Sequence, residues 1–342
     1  MTTTALTADD TNARSQLMGH LTAKWATPVI AVLARLGVAD HVVDGARSAD
    51  ELAAAVGADP RSLYRVLRAA ASIGVFAQDD QGRFGATSMS DCLRTDVPGT
   101  LRSAAMMFGL APFWDPYSQV LHSVTTGQPA FDRVFGATIY EYLQAHPDDA
   151  AIFGGAAASF HAQATEAIAA AHDFGRYDVV VDVGGGTGSL LAAILLANPT
   201  VRGVLFELDG VLDAAREQLV GTGIEHRVEL VAGDFFTAVP PGDALLIKSC
   251  LHNFSDDDAV RVLRVLRAAI PANGRLLVAE TVVPTGNEPH YAKFDDIEML
   301  VIAGGVDRSA EEYRELLAAG GFRTVALTPC DDRFSLLEAV PN

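Results

Sequence analysis

Cysteine is scarce in this chain: three residues in 342, Cys92, Cys250 and Cys330, all far apart. That scarcity excludes a cysteine-based zinc site and fits a reducing cytoplasm. Basic residues are also in short supply. Lys and Arg number 25 against 43 Asp and Glu, a formal net charge of −18, which argues against unaided binding to nucleic acid or an anionic membrane surface. No apolar run reaches the ~18 residues that a bilayer span requires. The opening "MTTTALTADDTNARSQ" is polar and acidic, unlike a signal peptide. These absences point to a cytoplasmic protein with neither nucleic acid nor membrane as partner. What is present is ordinary globular material, 49% apolar and 20% charged, long enough for two domains with a sizeable core.

The chain divides by texture. In residues 14–100, "LMGHLTAKWATPVIAVLARLGVADHV" is apolar nearly all round, the pattern of a helix buried between partners. "SADELAAAVG" opens on Ser48 as N-cap, with Glu51 completing a capping box. "DPRSLYRVLRAAASIGVF" places Pro60 at a second helix start and Gly74 after its end. "VFAQDDQGRFGAT" reads as two short strands around a polar turn. Helix, helix, hairpin is the outline of a winged helix. Residues 101–176 are helical and rich in Met and Phe. From Tyr177 strands and helices alternate, with strands at 178–183, 202–206, 228–231, 243–248, 275–279, 323–327 and 333–339, the pattern of a doubly wound parallel sheet.

"VDVGGGTGSLLAAILLANP" joins the first of these strands to a helix through a glycine turn. Gly184, Gly186 and Gly188 form G-x-G-x-G, whereas a dinucleotide fingerprint needs G-x-G-x-x-G and has a glycine where Ser189 stands. A tight turn with no ligand is the alternative. The next strand ends in Glu207, where a carboxylate can accept both hydroxyls of a ribose. The strand after that ends in Asp234 and Phe235, an acid for an adenine amino group and a ring for the face of the base. Three successive strand ends therefore outline an adenosine site without a pyrophosphate, which S-adenosylmethionine fits better than NAD.

Of nine histidines, His252 in "LLIKSCLHNFSDDDAVRVLRVL" is the one at the carboxyl end of a sheet strand, where open α/β folds place their active sites. "DDD" at 256–258 reads as the acidic, solvated first turn of a helix rather than a metal cluster. With "VDVGGGTG", "GDFF", "LHNFSDDDA" and "FDDIEMLVIAGG" together, nearly the whole chain resembles the small-molecule O-methyltransferases that include plant caffeate methyltransferases and bacterial anthracycline and mitomycin tailoring enzymes.

The resemblance implies an α/β protein with a C-terminal Rossmann-like domain (177–342) that binds S-adenosylmethionine and releases S-adenosylhomocysteine. Before it stand a helical homodimerisation and winged-helix domain (1–100) and a helical linker and substrate-pocket segment (101–176). It further implies that His252 removes the proton of a phenolic hydroxyl, flanked by Glu280 and Asp307, with Gly184, Glu207, Asp234, Phe235 and Ser249 on the cofactor and no metal. Asn253 and Phe254 stand where Asp and Trp are frequent in the family, and Asp307 replaces a common Glu. Phe153, Asn253, Met299 and Ile302 are candidates for an apolar pocket around an aromatic small-molecule substrate in natural-product biosynthesis. Two rivals remain at this stage. One is a relative repurposed for hydroxylation, decarboxylation or a pericyclic reaction. The other is a winged-helix DNA regulator, disfavoured by five arginines against five acids in residues 47–87.

Overall fold

The computed structural model describes residues 8–342, so the first residues of the polar N-terminal stretch lie outside it. The chain forms two compact units. One runs to Asp115 and takes in Tyr140–Phe160; the other comprises Pro116–Ile139 and His161–Asn342. The divisions at 100 and 176 drawn from texture therefore do not coincide with the packing: a helical stretch from the middle of the chain belongs to each unit.

In the helical unit, Ser48 caps the helix Ala49–Val56. Its hydroxyl accepts from Glu51 N, and Glu51 Oε2 accepts from Ser48 N at 2.8 Å, so two otherwise unpaired backbone donors are satisfied. Asp59 caps the helix Pro60–Ser72. The strands β1 (Ala77–Gln78) and β2 (Phe84–Gly85) form the antiparallel hairpin. Leu33, Leu52, Leu67, Phe76 and Phe84 fill the core beneath. The apolar stretch from Leu17, expected to be buried between partners, leaves Leu17, Met18 and Leu21 of the helix Ala8–Thr22 exposed in the single chain, as is Trp25 at 63%. The helical stretch Asn12–Leu36 is long and apolar enough to cross a membrane by length and composition alone. A search for unbroken apolar runs misses it because His20, Thr22 and Lys24 interrupt the stretch.

The second unit is built on a sheet whose strands are β3 (Val179–Val183), β4 (Arg202–Glu207), β5 (Val228–Ala232), β6 (Ala244–Lys248), β7 (Arg275–Val283), β8 (Arg308–Ser309), β9 (Phe322–Pro329) and β10 (Phe334–Pro341). Their order is β5-β4-β3-β6-β7-β10-β9, with β8 alongside β7. Strands β3 to β7 are parallel, but β10 runs antiparallel to both β7 and β9. The sheet is mixed, not wholly parallel as its βα alternation suggests.

Both faces are covered, so the central strands are continuous apolar runs. Leu246 and Leu277 share one core with Leu190, Leu191 and Ile194 of the helix Ser189–Ala197 and with Ile168. Leu245, Ile247, Leu276 and Val278 pack under Asp256–Ala269 and Ala310–Ala319. Each strand sends alternate residues to opposite cores, and this fixes its register. Consequently the carboxyl ends of β3, β4, β5, β6 and β7 open along one edge.

Candidate active site

At the end of β3 the chain turns sharply, with φ of +67° at Gly184, +58° at Gly186 and +79° at Gly188. Space is as restrictive as backbone angle. A Cβ on Gly184 would lie 2.9 Å from Cys250 Sγ, and one on Gly185 would lie 2.5 Å from Asp182 Oδ2. At Gly186 nothing lies within 4 Å, so only the positive φ demands glycine there and its backbone faces open space. Glu207, at the end of β4, accepts from Gly186 N at 3.0 Å through Oε2 and from Leu208 N at 2.7 Å through Oε1. Each oxygen keeps a lone pair for a further donor. Asp234 and Phe235 follow β5: Asp234 Oδ1 accepts from Phe236 N, and the Phe235 ring edge lies against Gly184.

The end of β6 leads into the turn that holds the candidate His252. Ser249 is the one described non-glycine residue with positive φ, +51°, and its buried Oγ has no partner. Its carbonyl accepts from Asn253 Nδ2 at 3.1 Å, which closes the short 3-10 turn Leu251–Asn253 holding His252. His252 Nδ1 lies 3.1 Å from Asp307 Oδ1 and 3.8 Å from Glu280 Oε2. Glu280 is fully buried near the end of β7. Its Oε1 accepts from Cys250 N and Leu251 N at 3.0 and 2.8 Å, so the carboxylate both anchors the turn and faces the imidazole. Although one methylene shorter than Glu, Asp307 reaches His252.

An ionised carboxylate accepts only, so Nδ1 carries the proton toward Asp307 and, in the neutral ring, Nε2 carries the free lone pair. Burial by itself would push the imidazole's pKa down. The Glu280 charge, then the Asp307 hydrogen bond and charge, with Asp295 behind them, outweigh it and lift the value to about 9. Burial also pushes the Glu280 carboxyl up, against the pull of the His252 charge.

Segment Met299–Ala303 is π-helical, a turn often found at functional sites, and Gly304 N donates to Met299 O. Met299 is half-buried and Ile302 is buried. Phe153 belongs to the helical unit, where it stacks on Phe113 with ring centroids 5.8 Å apart.

Residues 117–323 match the O-methyltransferase domain model, and residues 18–96 match the O-methyltransferase dimerisation domain. The chain is 40% identical over 328 residues to a phenazine O-methyltransferase of Lysobacter antibioticus, covering 96% of each. The chain belongs to the O-methyltransferase family. Among solved structures, mitomycin 7-O-methyltransferase superposes with a TM-score of 0.90 at 34% identity, over 98% of this chain and 99% of that one. An O-methyltransferase from neocarzinostatin biosynthesis, in complex with S-adenosylmethionine and 2-hydroxy-5-methyl naphthoic acid, superposes at 0.79 and 34% identity over 93% and 96%.

The methyl donor of this methyltransferase is S-adenosylmethionine, and membership favours methyl transfer over both the repurposed and the DNA-regulator readings. The glycine turn fits that cofactor, since its backbone is open at Gly186 and carries the half-buried Glu207 beside it. Among the described residues, no three His, Cys, Asp or Glu side chains are arranged to hold a metal ion.

Three residues beside the candidate site escape sequence reasoning. Asp182 is the one acid in the buried run of β3, with its carboxyl pushed up to about 7 by burial. Beside it Lys248 ends β6, with burial lowering its own pKa against the Asp182 charge. An acid inside "VVVDV" is the signal that marks them. Gly305 is the third: a Cβ there would stand 2.0 Å from His252 O, so only glycine lets Val306 N donate to that carbonyl at 2.8 Å.

Proposed function

We propose that the methyltransferase methylates a phenolic hydroxyl of an aromatic small molecule in natural-product biosynthesis, with His252 as general base. The observation that carries this reading is the imidazole whose Nδ1 is committed to Asp307 with Glu280 behind it, leaving Nε2 as base. A neutral aromatic amine attacks through its own lone pair, whereas a phenol with a pKa of about 10 must lose its proton to become a strong nucleophile. That makes a hydroxyl the acceptor that needs this arrangement.

When bound, S-adenosylmethionine supplies a methyl group already activated by the positive sulfur. Gly184, Gly186 and Gly188 would let the cofactor approach the backbone. Glu207 would accept from its ribose hydroxyls, Asp234 from its adenine amino group, and Phe235 would cover the base, with Ser249 Oγ as a further donor or acceptor. His252 takes the phenolic proton on Nε2. Because its pKa of about 9 lies within about one unit of the phenol, that transfer is uphill by only ~1.4 kcal/mol. Asp307 and Glu280 keep the ring oriented and stabilise the imidazolium. Asn253 holds the turn, while Met299 and Ile302 offer apolar surface on their element and Phe153 on its own. Methylation on this scheme requires no metal, because the imidazole itself generates the nucleophile.

The direct test is a panel of mono- and polycyclic phenols incubated with enzyme and S-adenosylmethionine. Products should gain one methylene in mass and carry it on oxygen. Acceptance of aromatic amines alone, with every phenol inert, would overturn the reading.

The exposed row Leu17, Met18, Leu21 and Trp25 lies at the start of the dimerisation match, and we assign it to pairing with a second copy in a cytoplasmic homodimer. Light scattering at low micromolar concentration should give the mass of two 36.0 kDa chains. A stable monomer that remains active would contradict the assignment.

A further inference from the structure

Arg308 is 1% exposed, unusual for an arginine outside an ion-binding cavity, and its guanidinium donates to three backbone carbonyls and one acid. Nη1 donates to Leu251 O at 3.1 Å and to Val306 O at 3.2 Å; Nη2 donates to Phe254 O at 2.9 Å. Both Nε and Nη2 reach Asp256 Oδ1, at 2.9 and 2.8 Å. Leu251 and Phe254 bracket His252 on its turn, and Val306 directly precedes Asp307. One rigid fork thus ties the strand that presents the carboxylate to the turn that presents the imidazole. Asp256, the first residue of its helix, holds the fork from outside with a side chain that is 77% exposed. The acidic first turn that reads as merely solvated has a partner.

We infer that Arg308 is a positioning residue for the reaction: its clamp on Leu251, Phe254 and Val306 sets the His252–Asp307 separation, with Asp256 as the outer anchor. This rests on the reading of His252 as base, but it makes a claim about the imidazole that holds whether or not that reading survives. Lysine has the charge but not the planar, multi-donor fork, so it can meet Asp256 or one carbonyl and not all four acceptors. Without the fork the turn and β8 are free to separate, and the 3.1 Å contact lengthens. The groups facing the imidazole are Asp307 just before β8, Glu280 from β7 and Asp295 from the helix Ala292–Glu298. Loosening the first of these weakens the influence that holds His252 charged, so its pKa falls from about 9 toward the ordinary ~6.5.

The test titrates the His252 imidazole by NMR in histidine-labelled enzyme, assigned by the resonance missing in His252→Gln. Wild type, Arg308→Lys and Asp256→Asn are compared, with kcat on an accepted phenol measured alongside. For Arg308→Lys the imidazole pKa should drop by at least one unit and kcat, expressed per neutral imidazole, by about 10–100-fold. The affinity for S-adenosylhomocysteine should stay within about twofold. Asp256→Asn, at an exposed site that folding tolerates, should move both quantities in the same direction by a few-fold. It carries the test should Arg308→Lys fail to fold. An imidazole pKa unchanged in a folded Arg308→Lys, or unchanged in Asp256→Asn where Arg308→Lys does not fold, overturns the inference. A shifted pKa with unchanged kcat would leave the clamp on the imidazole standing but overturn its role in the reaction, and with it His252 as base.

Discussion

Replacing His252 by Ala should lower kcat on a neutral phenol at pH 7 by about 10²–10⁴-fold, the usual contribution of a positioned general base. The affinity for S-adenosylhomocysteine should be nearly unchanged, because the adenosine is assigned to the glycine turn and the ends of β4 and β5 and none of its contacts to His252. The deficit should shrink for acidic phenols, which arrive already ionised and need no base. Calorimetry with S-adenosylhomocysteine and single-turnover rates across phenols of graded acidity check both halves. Wild-type turnover in His252→Ala would remove the base from the mechanism.

The second large effect is expected on the cofactor side. Glu207→Ala should weaken S-adenosylhomocysteine binding by about 1–3 kcal/mol, the loss typical of a hydrogen bond to a charged group, which is roughly 5–150-fold in Kd. The variant loses the carboxylate assigned to the ribose hydroxyls and leaves Gly186 N without its acceptor. Glu207→Gln keeps one acceptor oxygen but not the charge, and should fall between. The kcat at saturating cofactor should change little in either variant. An unaltered Kd in Glu207→Ala would place the ribose elsewhere.

Much of this was legible in the sequence because buried parallel strands are continuous apolar runs that end abruptly. The ends of β3, β4 and β5 announce themselves as a glycine turn, an acid, and an acid with an aromatic ring. What is not legible depends on tertiary partners. The segments at 323–327 and 333–339 read correctly as strands, yet the insertion of β10 antiparallel between β7 and β9 has no local signature, since a hairpin's pattern does not name its other neighbour. Residues 116–139 read as part of one helical block, although their packing assigns them to the sheet unit. Arg308, in "VDRSAEEYREL", looks like the polar start of a helix. Its burial follows from the carbonyls of a loop more than fifty residues earlier. Convergence of Glu280 and Asp307 on His252 came from the family resemblance, because no spacing rule brings together residues on three separate elements.

The central claim, that His252 takes a proton from the acceptor hydroxyl, is tested most directly by the pH dependence of kcat/KM for wild type against His252→Ala on one phenol of ordinary acidity. The carboxylates hold the imidazole at about 9, so in the free enzyme at pH 7 only about 1% is neutral. That fraction rises about tenfold per pH unit until the pKa is reached. The account predicts a wild-type profile that climbs with unit slope from pH 6 and levels near 9. The variant should climb only with the ionisation of the phenol itself, at unit slope up to about pH 10, so the gap between the two should be constant below pH 9 and narrow by about tenfold between pH 9 and 10. A wild-type profile that is flat from pH 6 to 9, or that keeps climbing in step with the variant from pH 9 to 10, would contradict it.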